Sequence, residues 1–255
     1  RVLISGNQIK GEAPGVFQIH LSDTDPLLTK LTQISIFNNH IASVGSYGTT
    51  MQFSALPWEK ATLIETIVNE NTIINGIGAS IDVGDYCEMC SGYEYQQAST
   101  KIITISGNNM SSNADINPFI SVSGGNDELS KNNVTHVTID ENNMTFGQIN
   151  MDAGSFNAVG HNTVIADIRN NSLGGIDVMG GIVSTSNIMD AQIIRNAIQS
   201  NSAAFPNISV IGGYDCVDEC YGFPPFSKDN LITGNLVSNI IQSVNSDSSD
   251  ISVFG

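Results

Sequence analysis

A short pattern of aliphatic and polar positions recurs along the whole chain of 255 residues. In each copy an aliphatic residue is followed three positions later by asparagine, and a second aliphatic residue stands two positions after the asparagine. The asparagines of the eight copies are Asn7, Asn39, Asn71, Asn108, Asn142, Asn171, Asn196 and Asn235. Their intervals of 25 to 39 residues are typical of a repeat protein in which successive copies stack.

Each copy also contains a triplet in which a polar residue stands between two aliphatic or aromatic ones. The first triplet is Phe17-Gln18-Ile19 and the last is Ile251-Ser252-Val253. This period of two predicts a half-buried strand. Short strands without an amphipathic helix between them cannot bury an apolar face within one repeat, whereas stacked repeats can. The pattern therefore predicts a parallel β-solenoid, with the polar residues of the triplets forming one outward row.

The repeat resembles the Ile-x-x-Asn-x-Ile signature of the pectin-lyase-like superfamily, for example at Ile36, Asn39 and Ile41. This resemblance implies an all-β fold, a right-handed single-stranded parallel β-helix of about eight coils, in one domain over residues 1–255. No particular enzyme family is matched. We expect the eight asparagines to form an internal ladder, because asparagine tolerates turn conformations and its amide can bond to the next coil. Both ends fall inside a repeat, so we expect a segment of a longer solenoid.

Two coils carry insertions, residues 84–99 and 212–229, and each insertion contains a cysteine pair. The pairs are Cys87 with Cys90 and Cys216 with Cys220. Coils stack at ~4.8 Å, so insertions four coils apart are separated by ~19 Å, which is too far for one shared zinc ion. We predict two local disulfides, which suit an exported protein. A metal site within one insertion is the disfavoured alternative.

Aromatic residues concentrate in the same insertions and in the equivalent segment one coil earlier. Exposed rings beside carboxylates and amides could stack on sugar rings. The alternative is that the rings pack over the disulfides of their own insertions. The candidate ligand-binding residues are Trp58, Tyr86, Tyr93, Tyr95, Tyr214, Tyr221 and Phe223.

The charge balance limits the classes of partner. Asp and Glu number 25 against 9 Lys and Arg, for a formal net charge of −16. Such a surface repels nucleic-acid phosphates and anionic lipid. No apolar run reaches the ~18 residues that a membrane span needs. We expect an extracellular or cell-surface protein with neither a nucleic-acid partner nor membrane insertion.

Two aspartates are the candidate catalytic residues. Asp152 and Asp177 should lie diagonally on adjacent coils, ~8 Å apart, which suits an acid and a base in inverting glycoside hydrolysis. The same carboxylates could hold Ca²⁺, and no other cofactor is expected. His161 is similar to the histidine of polygalacturonase-like enzymes, but the adjacent pair of aspartates and the basic cluster that a uronate lyase needs are both missing from the sequence.

Three functions follow from these patterns. The first is a structural or adhesive β-helix module that binds glycans through its aromatic insertions. The second is a carbohydrate-active enzyme, a glycoside hydrolase in preference to a polysaccharide lyase or an epimerase, so whether the chain is an enzyme stays open. The third is a filament or appendage subunit that self-associates end to end.

Overall fold

The computed structural model describes residues 1–11, 18–21, 32–43, 51–55, 63–75, 80–84, 100–112, 117–125, 132–154, 161–181, 184, 186–200, 207–212, 229–243 and 251–254. Within these ranges the chain forms 24 β-strands and no helix. The first four coils contain β1 (Val2–Ser5), β2 (Gln8–Gly11), β3 (Gln18–Leu21), β4 (Thr32–Phe37), β5 (His40–Ser43), β6 (Met51–Ala55), β7 (Leu63–Asn69), β8 (Thr72–Asn75), β9 (Ser80–Gly84), β10 (Thr100–Ser106), β11 (Asn109–Ser112) and β12 (Phe119–Ser123).

The remaining four coils repeat the same order of three strands. They contain β13 (Val134–Asp140), β14 (Asn143–Met144), β15 (Gln148–Asp152), β16 (Thr163–Arg169), β17 (Ser172–Leu173), β18 (Gly175–Met179), β19 (Ile188–Ile194), β20 (Ala197–Ser200), β21 (Ile208–Ile211), β22 (Leu231–Val237), β23 (Ile240–Ser243) and β24 (Ile251–Phe254). No helix in the described ranges is long and apolar enough to span a membrane.

Strands at the same place in successive coils pair in parallel and build three eight-stranded sheets. The first sheet runs from β1 to β22, the second from β2 to β23, and the third from β3 to β24. Each strand bonds to the strand three places along the chain, as in the pairing of β10 with β13. The fold is a parallel β-helix of eight coils, which confirms the predicted architecture.

The core is the interior of this tube, and the aliphatic residues of the repeat fill it. Along the first sheet, Ile36, Val68, Ile105, Ile139 and Ile168 stack in register and are all 0% exposed. Burying an aliphatic side chain of this size contributes about 1.5–3 kcal/mol. The repeat therefore specifies the fold because each coil supplies the apolar surface that its neighbours cover.

The turn between the first and second sheets holds the asparagine ladder. Asn39 donates its backbone N–H and its side-chain Nδ2–H to Oδ1 of Asn71, both at 3.0 Å, and the same two bonds recur along the ladder. The ladder consists of Asn7, Asn39, Asn71, Asn108, Asn142, Asn171, Asn196 and Asn239. The residue before each ladder asparagine has a φ between 54° and 68°, a left-handed conformation that opens the turn.

The prediction that Asn235 ends the ladder is wrong by four residues. Asn239 accepts from the backbone N–H of Asn196 at 2.9 Å, whereas Asn235 lies within β22 and donates its side-chain N–H to Oε1 of Gln192 at 2.9 Å. Two overlapping stretches match the repeat pattern here, Ile232 to Val237 and Leu236 to Ile241. Pairing of Ile193 with Leu236 selects the second stretch.

A second ladder, which the sequence analysis missed, lies at the corner between the third and first sheets. Asn133 donates to Asn162, Asn162 to Asn187, and Asn187 to Asn230, each through its backbone N–H and its side chain. Each of these asparagines precedes the first strand of its coil, nine positions before the asparagine of the first ladder. His161 is the turn residue before Asn162, with a φ of 63°, so its position has a structural explanation.

Glycine makes room for the second ladder at this corner. A Cβ on Gly154 would lie 2.6 Å from Nδ2 of Asn187, and one on Gly181 would lie 2.1 Å from Oγ of Ser184. Such contacts are far inside van der Waals distance, so these positions exclude a side chain. The corner after the third sheet is therefore shaped by packing against the ladder.

Candidate functional site

The outward row predicted from the triplets is present on the third sheet. Asp82, Ser121, Asn150, Asp177 and Ser209 occupy successive strands in direct register, and we call these five residues the outer polar column. At ~4.8 Å between strands the column is ~19 Å long. The backbone register extends it to Gln18 and Gln52 at one end and to Ser252 at the other.

Strand alternation places these side chains on the outer surface. In β15, Ile149 and Met151 are 0% and 1% exposed and face the core, while Asn150 between them is half-buried. β12 shows the same alternation around Ser121. Since successive side chains of a strand point to opposite faces, the column lies outside the tube. Its carboxylate, hydroxyl and amide groups lie along one line, and all are half-buried except Ser209, which is 5% exposed.

Two carboxylates of the outer polar column are poorly hydrated. Burial raises the pKa of Asp177, and a hydrogen bond from the Ser209 side chain on the next coil partly offsets the rise. Burial likewise raises the pKa of Asp82, with Ser121 as the opposing hydrogen-bond donor. The column therefore contains two equivalent pairs, in which an aspartate accepts from the serine one coil further on.

The structure brings the proposed catalytic pair, Asp152 and Asp177, onto the same surface. Asn150 is the register partner of Asp177, and Met179 is the partner of Asp152, so the two aspartates are diagonal neighbours. Strand rise and strand spacing give a separation of ~8 Å between their Cα atoms. Ser123 donates to Oδ1 of Asp152 at 2.9 Å, which orients that carboxylate on the outer face.

An apolar margin runs beside the later coils of the column. Met179 and Ile211 are register partners, two positions after Asp177 and Ser209, and both are half-buried. In these coils the outer face therefore combines hydrogen-bonding groups with aliphatic surface. That combination suits a ligand with hydroxyl groups and apolar faces.

The predicted aromatic ligand-binding residues and the four cysteines lie outside the described residues. Their attachment points are described: one insertion connects β9 to β10 and the other connects β21 to β22. The segment that contains Trp58 connects β6 to β7. All three segments therefore follow a strand of the third sheet in the chain, namely β6, β9 or β21. The disulfides and the aromatic platform stay predictions.

No group of three or more His, Cys, Asp or Glu side chains that could hold a metal ion occurs among the described residues. Ca²⁺ binding stays an untested alternative for the carboxylates of this face. The sequence analysis did not identify Ser121 and Ser209 as hydrogen-bond partners of the aspartates. The sequence did indicate this pairing, because each serine is the middle residue of the triplet one coil after the triplet that contains the aspartate.

Scans against protein-family models, curated proteins and solved structures found no match to this chain. Assignment of a function therefore depends on the chemistry of the outer face alone.

Proposed function

We propose that this chain is a structural or adhesive β-helix module of the extracellular space or cell surface, related to the pectin-lyase-like superfamily, which binds an extended neutral polysaccharide. The observation that supports this proposal most strongly is the register of the outer polar column, Asp82–Ser121–Asn150–Asp177–Ser209. The column repeats hydrogen-bonding groups at a spacing close to the length of one sugar unit in an extended glycan.

The chemistry of the column suits sugar hydroxyls. Carboxylates accept hydrogen bonds, serine hydroxyls donate and accept, and the Asn150 amide does both. Hydrogen bonds to charged groups contribute about 1.5–3 kcal/mol, more than those between neutral partners. The aliphatic surface of Met179 and Ile211 would contact the apolar face of a ring.

The charge of the molecule favours a neutral glycan over a polyanionic one. With a formal net charge of −16, the surface repels polyuronates and sulfated chains. The cysteine pairs and the low lysine content support an exported location, since disulfides persist in oxidising compartments. Aromatic residues in the insertions, which follow strands of the same sheet in the chain, would add stacking surface.

Binding to a panel of neutral oligosaccharides of increasing length tests the proposal. We expect affinity to rise with length until the glycan covers the ~19 Å column, and then to level off. Combined Ser121→Ala and Asn150→Ala substitutions should weaken binding at least ~10-fold, because a tenfold change corresponds to about 1.4 kcal/mol, roughly one lost hydrogen bond.

Thr104→Ala with Thr138→Ala is the matched control. These threonines are outward residues of the first sheet in the same two coils, so their loss should leave glycan affinity unchanged. Equal weakening in both double variants, or no binding of any neutral glycan at millimolar concentration, would contradict the proposal.

A glycoside hydrolase is the second candidate, supported by the diagonal placement of Asp152 and Asp177. Burial raises the pKa of Asp177, which favours the protonated form that a general acid needs. Asp152 would then serve as the base that activates water. The expected separation suits an inverting reaction.

Incubation with neutral polysaccharides and detection of new reducing ends distinguishes the enzyme from the binding module. In a hydrolase, Asp177→Asn and Asp152→Asn should each abolish product formation while glycan binding persists. Binding by the unaltered protein without any new reducing ends would support the module and reject the hydrolase.

A further inference from the structure

The outer face of the first sheet carries an aliphatic strip that no part of the proposed function uses. Ile102, Ile165 and Ile188 are 38%, 40% and 37% exposed. Val134 is half-buried beside them, and His136 is exposed in their midst. These four aliphatic residues, together with His136, are the aliphatic strip.

The register arranges the strip as a zigzag over two outward columns, in which His136 and Thr163 stand between aliphatic residues. Ile102 pairs with His136 and His136 with Ile165, while Val134 and Ile188 both pair with Thr163. The aliphatic residues of the strip alternate between two outward columns from β10 to β19, about 14 Å along the axis at ~4.8 Å per coil, and each is the diagonal neighbour of the next, a distance that long side chains span. Scattered surface aliphatics are ordinary, but contiguous ones indicate an interaction site.

Strand propensity does not require aliphatic residues at these positions. In the next outward column of the same sheet, Thr104 and Thr138 occupy β10 and β13 in register. Threonine favours strands as isoleucine does and tolerates solvent better. The strip therefore exposes more apolar surface than a stable strand needs.

Carboxylates stand at both ends of the column that contains Ile102 and Ile165, whereas the other column continues from Ile188 to the exposed Leu231. Glu65 is the register partner of Ile102, and Asp190 is the partner of Ile165. Asp167 lies two positions after Ile165 and pairs with Arg169 at 3.1 Å. Beside this ion pair, Glu65 and Asp190 give the described surroundings of the strip a negative charge, as in the chain as a whole.

The carboxylates beside the strip favour a basic partner over a second copy of the chain. A second copy docking through the same face would bring like charges together, because a two-fold interface places the same patch on both subunits. A partner with basic residues around an aliphatic ridge would gain electrostatic complementarity. We propose that the aliphatic strip is a docking surface for a partner protein whose exposed aliphatic ridge is flanked by lysine or arginine.

The test uses the full chain and a synthetic amphipathic helical peptide with leucine on one face and lysine on the other. A peptide of the same pattern with glutamate in place of lysine measures the charge requirement. We expect the lysine peptide to bind in a salt-dependent manner and the glutamate peptide to bind at least ~10-fold more weakly, since like charges across an interface are repulsive. Combined Ile102→Thr, Ile165→Thr and Ile188→Thr substitutions should weaken the lysine peptide by at least ~10-fold, about 1.4 kcal/mol.

The control combines Ile67→Thr, Ile194→Thr and Val237→Thr, which change outward aliphatic residues of the same sheet outside the strip. It should leave peptide affinity within ~2-fold of the unaltered chain, about 0.4 kcal/mol. Three results would overturn the proposal: no binding of the lysine peptide, equal weakening by both triple variants, or a dimer in sedimentation that only the strip variant disrupts. The last result would assign the strip to self-association.

Discussion

Asn142 donates both its backbone N–H and its side-chain Nδ2–H to the same oxygen, Oδ1 of Asn171, at 2.9 and 3.0 Å. Its Nδ2 also donates to the carbonyls of Ile105 and Asp140. Asn108 donates to Oδ1 of Asn142 in the same way from the preceding coil. One buried side chain thus satisfies polar groups on three coils.

Asn142→Ala should destabilise the protein by about 2–4 kcal/mol, because the Asn108 donors lose their acceptor and the Ile105 carbonyl loses this donor, while Oδ1 of Asn171 loses one of its two donors. The measurement is urea unfolding of the full chain, with the midpoint shifted and the slope unchanged. Asn143→Ala is the control. Asn143 is exposed and donates its side chain only to Asn109, at 3.2 Å, so a cost above about 0.5 kcal/mol there would argue against the ladder as the source of stability.

Because Asn239 and not Asn235 occupies the last ladder position, alanine substitutions of these two asparagines should differ in their effect on stability. Asn239→Ala should lower the stability of the last two coils by about 1–2 kcal/mol, since the backbone and side-chain donors of Asn196 lose their acceptor. Asn235→Ala removes only an exposed side-chain bond to Gln192 and should cost less than about 0.5 kcal/mol. Hydrogen exchange at the Asn196 amide measures the difference. A larger effect from Asn235→Ala would favour Asn235 as the ladder residue, as the sequence analysis predicted.

The second ladder predicts that glycines differ in their tolerance of alanine. Gly154→Ala should destabilise the protein by about 1–3 kcal/mol, because its Cβ would lie 2.6 Å from the buried Asn187 amide. A Cβ at Gly175 would have its nearest neighbour at 3.5 Å, an ordinary contact. Thermal unfolding of Gly154→Ala and Gly175→Ala tests this expectation. Similar melting temperatures would show that the corner at Gly154 accommodates a Cβ with little loss of stability.

The pH dependence of stability should change when Asp177 becomes asparagine. The pKa of Asp177 is raised in the folded protein by burial, so the folded state binds a proton more tightly than the unfolded state. Stability then falls as pH rises from the unfolded value of 3.8 through the higher folded value. Asp177→Asn removes this loss, so its stability relative to the unaltered protein should be greater at neutral pH than in acid.

Urea unfolding between pH 3 and pH 8 provides the measurement. Asp190→Asn, on the outer face of the first sheet, controls for the change in net charge. If the relative stability of the Asp177 variant stays constant across this range, or if the Asp190 variant shows the same trend, the folded carboxylate is no harder to ionise than the unfolded one.

The sequence predicted the parts of this fold that depend on local alternation. The columns through Ile36 and through Asp82 follow from residue spacing, because every strand side chain must face either the tube or solvent. The same reasoning placed Asp152 and Asp177 diagonally. It failed at Asn235, because the repeat pattern fits two frames four residues apart and only pairing with the preceding coil distinguishes them.

The second ladder has a regular sequence spacing that the sequence analysis did not detect. Asn133, Asn162, Asn187 and Asn230 each stand nine residues before a first-ladder asparagine, and that constant offset would also have identified Asn239 as the last ladder residue. The signal was hidden among many asparagines. No local rule separates a buried ladder asparagine from an exposed turn asparagine.

The sequence by itself determined the number of coils, the inward and outward sides of each strand, and the residues that fill the core, because these depend on a period of two and on burial of aliphatic surface. Only the tertiary structure decided which asparagines share hydrogen bonds, which glycines must lack a side chain, and that Asp177 loses hydration beside Ser209. The ladder bonds between coils, for example, join atoms that are 25 to 46 residues apart in the chain and meet only when the coils stack.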